Sequence, residues 1–163
     1  MRRASLSSEA PRTFKYFDNF EVKDGVAIVR LNGPGKMNTI SQGMTKEAEL
    51  IFREHILKNS AVTAVVFISS KNDNFIAGAD IDMIKETKDK SELKATIMKG
   101  HAFFDEIKKT NLPMVAAING AALGGGLEWT MYCDYRIATT NKKTVLGETL
   151  QDFSSVLRHV HRS

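Results

Sequence analysis

Gly124, Gly125 and Gly126 stand in an unbroken row, and Glu128 follows two residues behind them. An apolar run from Met114 to Ile118 leads in through Asn119-Gly120, which reads as a tight turn, and the triplet opens a predicted helix whose first turn carries the glutamate. The first N–H groups of a helix have no partner within it, so a glycine loop there can aim backbone donors at an anion. A residue without Cβ also lets a ligand come close to the backbone. A second stretch of the same kind, Phe75-Ile76-Ala77-Gly78-Ala79, ends in Asp80, which can cap a turn starting at Ile81. Brought together, the donors around Ala79 and Gly125 would clasp one carbonyl oxygen and stabilise charge developing on it, a service worth ~2.7–4 kcal/mol per donor in acyl-transfer enzymes. Glu128 would then act as base or acid on the group held there. The same residues also have an architectural reading: a glycine triplet serves a tight turn, and the helix dipole favours an acid in the first turn whatever the function.

Other chemistries find less support. The triplet matches neither G-x-G-x-x-G nor G-x-x-x-x-G-K-[ST], so neither a dinucleotide fold nor a nucleoside triphosphatase is indicated. No G-x-S-x-G elbow and no histidine-rich metal spacing occurs. The single cysteine, Cys133, excludes an internal disulfide framework, reads as a buried structural thiol and fits a reducing compartment such as the cytosol or mitochondrial matrix. The net charge of +4 is spread over scattered Lys and Arg with no aromatic-basic recognition motif, so no nucleic-acid partner is expected. A mild attraction for phosphate-bearing metabolites is as far as that charge goes. Apolar runs such as Ala64 to Ile68 fall far short of the ~18 residues that span a bilayer.

The elements that must position these loops belong to one globular domain of 163 residues, 42% of them hydrophobic. Residues 1–13, Arg- and Ser-rich with a single acid, read either as part of a mitochondrial transit peptide or as a disordered terminus. The domain proper, 14–147, begins with a hairpin, because Asp24-Gly25 between two β-prone runs is a strong type I′ turn signal. Ser41 can cap a helix with Met44, Ala48, Ile51, Phe52 and Ile56 on its apolar stripe. Thr63 to Ser69 reads as a strand buried on both faces, Lys71 to Ala79 as a loop, and Lys85 to Lys90 as a solvated connector. Ser91 is the predicted cap of a second helix whose stripe is Leu93, Ile97, His101, Phe104 and Ile107. His55, beside the first stripe, therefore reads as a packing or partly exposed residue and His101 as a stripe residue, rather than catalytic ones. Met114 to Ile118, Tyr135 to Ala138 and Thr144 to Leu146 complete an α/β pattern, and residues 148–163 form a polar tail.

FIAGADI (Phe75 to Ile81) and AINGAALGGGLE (Ala117 to Glu128) resemble, in order, the two signature stretches of the enoyl-CoA hydratase, or crotonase, family. DYRIAT (Asp134 to Thr139) and KKTVLG (Lys142 to Gly147) bring the resemblance closest to the hydratase domain of trifunctional α subunits of mitochondrial fatty-acid β-oxidation. The resemblance implies a crotonase-like superhelix of β-β-α units, an oxyanion hole made by the N–H groups of Ala79 and Gly125, and Glu128 as one of two glutamates that activate water for addition across a 2,3 double bond. It implies an acyl-CoA thioester as substrate, with coenzyme A carried on it and no separate cofactor or metal. It further implies a place in the mitochondrial matrix and a homo-oligomer or association with other β-oxidation subunits; membrane association is not readable. In the family the segment matching KKTVLG continues into a Pro-Glu pair whose glutamate is the second acid, and the aligned position here is Leu150. Glu148 stands two residues earlier, ~6.6 Å away in extended chain at ~3.3 Å per residue. With the pattern lost after Gly147, the chain is expected to be a truncated, partial domain. Three activities follow: a hydratase, an inactive acyl-CoA-binding or oligomer-associating fragment, and an enoyl-CoA isomerase working with one glutamate.

Overall fold

The Asp-Gly turn sets the first pairing. β1 (Glu21–Lys23) passes through Asp24 and Gly25, at φ 51° and 83°, into β2 (Val26–Leu31), and the two strands run antiparallel. Positive φ at both central residues is what a type I′ turn requires. The computed structural model describes residues 14–18, 21–81, 83 and 89–147; the N-terminal segment, most of the charged connector and the polar tail lie outside the described residues.

β2 lies parallel to β3 (Ala64–Ser69), β3 to β5 (Met114–Ile118) and β5 to β7 (Tyr135–Ala138), giving a five-stranded sheet in the order β1-β2-β3-β5-β7. A second, three-stranded parallel sheet has the order β4-β6-β8, with β4 at Asp73–Ile76, β6 at Gly120–Leu123 and β8 at Leu146–Gly147. From β3 onward each strand of the large sheet is followed by one of the small sheet. Helices α2 (Lys90–Lys108) and α3 (Gly125–Tyr132) then follow β4 and β6 respectively. In the first unit, Ile40, bridged in parallel to Ala79, occupies the place of the small-sheet strand before α1 (Gln42–Leu50). This is the strand-strand-helix progression that the sequence resemblance implies.

Five local expectations need correction. Part of the expected loop from Lys71 to Ala79 is β4, and the expected turn at Asn119-Gly120 runs directly into β6. A Cβ on Gly120 would fall 2.0 Å from the Asn74 nitrogen, so this glycine serves a close strand approach. β3 is fully buried on one face only: Val65, Phe67 and Ser69 are buried, whereas Ala64, Val66 and Ile68 are half-buried. On the buried face Phe67 packs against Phe52 and Trp129. α2 is capped by Asp89, whose side chain accepts from the Ser91 N–H at 2.8 Å, and its stripe buries Phe104 and Ile107 but leaves Ile97 48% exposed.

The core joins these elements through aromatic contacts. α1, capped by Ser41 as expected, continues through a wider turn (Ile51–Ile56) in which the Leu57 N–H donates to Phe52 C=O, five residues back, at 2.8 Å. Ile51, Phe52 and Ile56 are thereby buried. Phe52 stacks on Phe67 and meets Phe103 edge-on, both at 5.8 Å, and Phe67 meets Trp129 edge-on at 5.5 Å. Trp129 in turn meets Phe104 at 4.8 Å, so α1, β3, α2 and α3 share one packed row. Cys133 lies at the end of α3, 3% exposed, and burial pushes its thiol up to about 12.

The two sheets meet at Asn38, which is 1% exposed. Its side-chain oxygen accepts from the Gly33 N–H at 2.8 Å, and its amide nitrogen donates to Ser69 Oγ at 2.9 Å and Phe75 C=O at 3.0 Å, with Leu31 C=O at 3.4 Å. Its backbone N–H donates to Asn74 Oδ1 at 2.7 Å.

Two outcomes follow. Asn38→Leu strands several buried polar partners, each worth ~1–3 kcal/mol when unsatisfied, so urea unfolding will show a loss of about 3 kcal/mol or more. A loss below ~1 kcal/mol would contradict that role for the side chain. Cys133 will resist alkylation by iodoacetamide in the folded chain at pH 8 and react once the chain is unfolded, because the thiolate is the nucleophile and burial suppresses it. Equal reaction rates in the two states would contradict its burial.

Candidate active site

Asn38 leads directly to the first candidate donor. Its carbonyl accepts from the Ala77 N–H at 2.8 Å, the Ile40 N–H donates to Gly78 C=O at 2.8 Å, and the Asp80 N–H donates to Ile40 C=O at 2.9 Å. The pair of bonds flanking Ala79 fixes it against Ile40 and turns its own N–H and C=O to the opposite side, where β6 lies. The Ala79 N–H has no hydrogen-bond partner among the described residues, and Ala79 is exposed.

The glycine triplet supplies the second. Gly124 precedes α3 at φ 49° and ψ −122°, a conformation that favours glycine, and its N–H donates to Gly147 C=O at 2.9 Å. A Cβ on Gly126 would fall 2.2 Å from Ile76 C=O, so α3 sits directly on the end of β4. The intervening Gly125 provides the first N–H of the helix, which likewise has no partner among the described residues. The two loops are close: a Cβ on Gly125 would lie 3.0 Å from Ile40 Cδ1, and one on Gly78 would lie 3.4 Å from Leu123 C=O. Ala79 and Gly125 thus follow the carboxyl ends of adjacent parallel strands, the position where open α/β sheets form ligand crevices.

Glu128, on the first turn of α3, has a side chain 51% exposed. Its Oε2 lies 3.6 Å from Nε2 of His101 on α2. Tyr132, one turn further along α3, stacks on Phe104 at 4.7 Å and faces the His101 ring at 6.2 Å. Burial, reinforced by the charges of Asp105 and Glu128, raises its hydroxyl above the ordinary phenol range. Asp80 is engaged as a cap, accepting from Thr39 Oγ1 at 3.2 Å and the Met83 N–H at 3.3 Å. The arrangement can therefore present two free backbone donors and, nearby on the same helix, a carboxylate.

All three residues singled out from sequence, Ala79, Gly125 and Glu128, fall on this end of the small sheet. Glu148 and Leu150 lie outside the described residues, although β8 carries the chain to the same edge through the Gly124–Gly147 bond. Asn38 and the pairing of His101 with Glu128 escaped sequence reasoning. His101 is half-exposed rather than packed inside the stripe; its place midway along α2, three residues before buried Phe104, is the signal that puts it on the face meeting α3.

Known proteins share this pattern. Residues 21–153 match the family model for enoyl-CoA hydratase/isomerase. The chain is 45% identical over 125 residues to the fatty acid oxidation complex subunit alpha of Idiomarina loihiensis, a match covering 76% of this chain and 18% of that subunit. It is 41% identical over 134 residues to the same subunit of Shewanella frigidimarina, covering 82% of this chain and 19% of that subunit. The crystal structure of an enoyl-CoA hydratase from Bacillus anthracis superposes with a TM-score of 0.73 at 25% identity, covering 82% of this chain and 50% of that one. The chain thus spans less than a fifth of the oxidation-complex subunits and half of the solved hydratase. With the matching model extending over most of its length, the crotonase fold repeated in its two sheets and the signature loops at their carboxyl ends, the chain belongs to the enoyl-CoA hydratase/isomerase family.

Proposed function

We propose that the chain carries the oxyanion-hole half of a 2-enoyl-CoA hydratase of fatty-acid β-oxidation and adds water to the double bond of a bound thioester. The observation that carries this reading is the pair of amides, Ala79 and Gly125, free of partners among the described residues and following adjacent strand ends. Hydrogen bonds from both to the thioester oxygen would draw electrons from the double bond and make C3 electrophilic. Water then adds its oxygen to C3, the electron pair moves onto the thioester oxygen as an enolate held by the two amides, and C2 takes up a proton as the enolate collapses. Glu128 serves as base toward the water and returns the proton. Donors fixed by the Asn38 ladder and by the start of α3 need no reorganisation as charge develops, which is the source of their effect.

Isomerisation is the second reading, because it asks for a single carboxylate that moves a proton from one carbon to another, and Glu128 can do that alone. The relatives' description as subunits of an oxidation complex supports association with other β-oxidation subunits. The Arg- and Ser-rich start supports a mitochondrial matrix location as part of the same proposal.

Purified chain added to a 2-enoyl-CoA is expected to remove the absorbance of the conjugated thioester, and Glu128→Gln to lower kcat by about 100-fold or more, the scale of general acid–base catalysis. Turnover that survives Glu128→Gln would overturn its role. Binding of acyl-CoA without turnover would favour the non-catalytic fragment, and a gain of conjugated absorbance from a 3-enoyl-CoA would favour the isomerase.

A further inference from the structure

We propose that His101 is a positioning residue for Glu128, fixing one oxygen of its carboxylate so that the other is presented to water; this rests on the hydratase reading above. Glu128 is half-exposed on the first turn of a short helix, and a carboxylate in that setting has free rotors to lose before it can act. His101 Nε2 stands 3.6 Å from Glu128 Oε2, ion-pair reach and a small side-chain rotation from a hydrogen bond.

The imidazole is itself held. Its ring faces Tyr132 at 6.2 Å with a 52° tilt, and Tyr132 is stacked at 4.7 Å and 14° on Phe104, which is buried against Trp129. His101 therefore meets two residues one turn apart on α3, while α2 is anchored three residues further on by Phe104. The charged and titratable groups of this cluster are Glu128 and Tyr132 on α3 and Asp105 on α2, whose charge reaches Tyr132. Holding a reacting group to a narrow set of orientations acts on the chemical step more than on substrate binding, since the carboxylate does not carry the coenzyme portion of the ligand.

The test measures hydration of a 2-enoyl-CoA by the full chain with His101→Leu and His101→Gln, each in the natural and the Glu128→Gln backgrounds. His101→Leu is expected to lower kcat about tenfold with KM changed less than about twofold, and His101→Gln, which keeps an N–H donor at similar reach, to recover most of the loss. In the Glu128→Gln background His101→Leu should change the residual rate less than about twofold, because the partner it acts through is gone. An unchanged kcat in His101→Leu, or losses that simply multiply, would overturn the proposal. A readout independent of turnover separates it from the hydratase reading: the ring carbon–proton NMR signal of His101, assigned by its loss in His101→Gln, should move when Glu128 is replaced by Gln. If the natural chain shows no hydration but this signal moves, the pairing stands and the hydratase reading falls. A signal that stays in place overturns the pairing itself.

Discussion

One buried amide side chain joins the two sheets and sets the first loop of the site. Asn38 bonds to groups at the ends of β2, β3 and β4 and to Gly33, and its backbone carbonyl holds the Ala77 N–H at the point where the chain leaves β4 for Ala79. A polar side chain buried this deeply is tolerable only with its hydrogen bonds made, so the same interaction that satisfies Asn38 also dictates where the strand ends lie. From there the Ile40 ladder follows, and the ladder leaves one amide, that of Ala79, turned away from Ile40 and unpaired among the described residues.

The second donor depends on contact rather than on hydrogen bonding. α3 can rest on the end of β4 only because Gly126 has no side chain to meet Ile76, and Gly124 takes the backbone through a turn that places the Gly125 N–H first in the helix. The aromatic row from Phe52 to Trp129 and Phe104 holds α3 and α2 against the large sheet, and in doing so brings His101 to Glu128. Site and core are thus one construction: the loops are short and their ends are secured by buried groups. Preorganisation of this kind gives backbone donors their value toward a developing oxyanion.

Much of this was legible in the residues. The Asp24-Gly25 hairpin, the Ser41 cap, the apolar stripe of α1, and strands β3 and β5 all have local signals strong enough to read directly. β4 and β6 do not, because Asp73-Asn-Phe-Ile and Gly120-Ala-Ala-Leu carry little β-branched character and are extended by their partners in the sheet. Asn38 was missed for a related reason: its side-chain partners reach up to 37 residues away, and nothing nearby marks it as buried. The glycine triplet announced a donor loop, but its conjunction with Ala79 required the family resemblance, and His101's neighbour appears only once α2 and α3 are packed.

The most direct test follows the amide resonances of Ala79 and Gly125 while a saturated acyl-CoA, which binds without reacting, is titrated into the full chain. Two amides meeting one thioester oxygen predict that both signals move downfield and saturate together at a single dissociation constant. Binding that shifts only one of them, or that leaves both in place, would contradict a shared oxyanion hole.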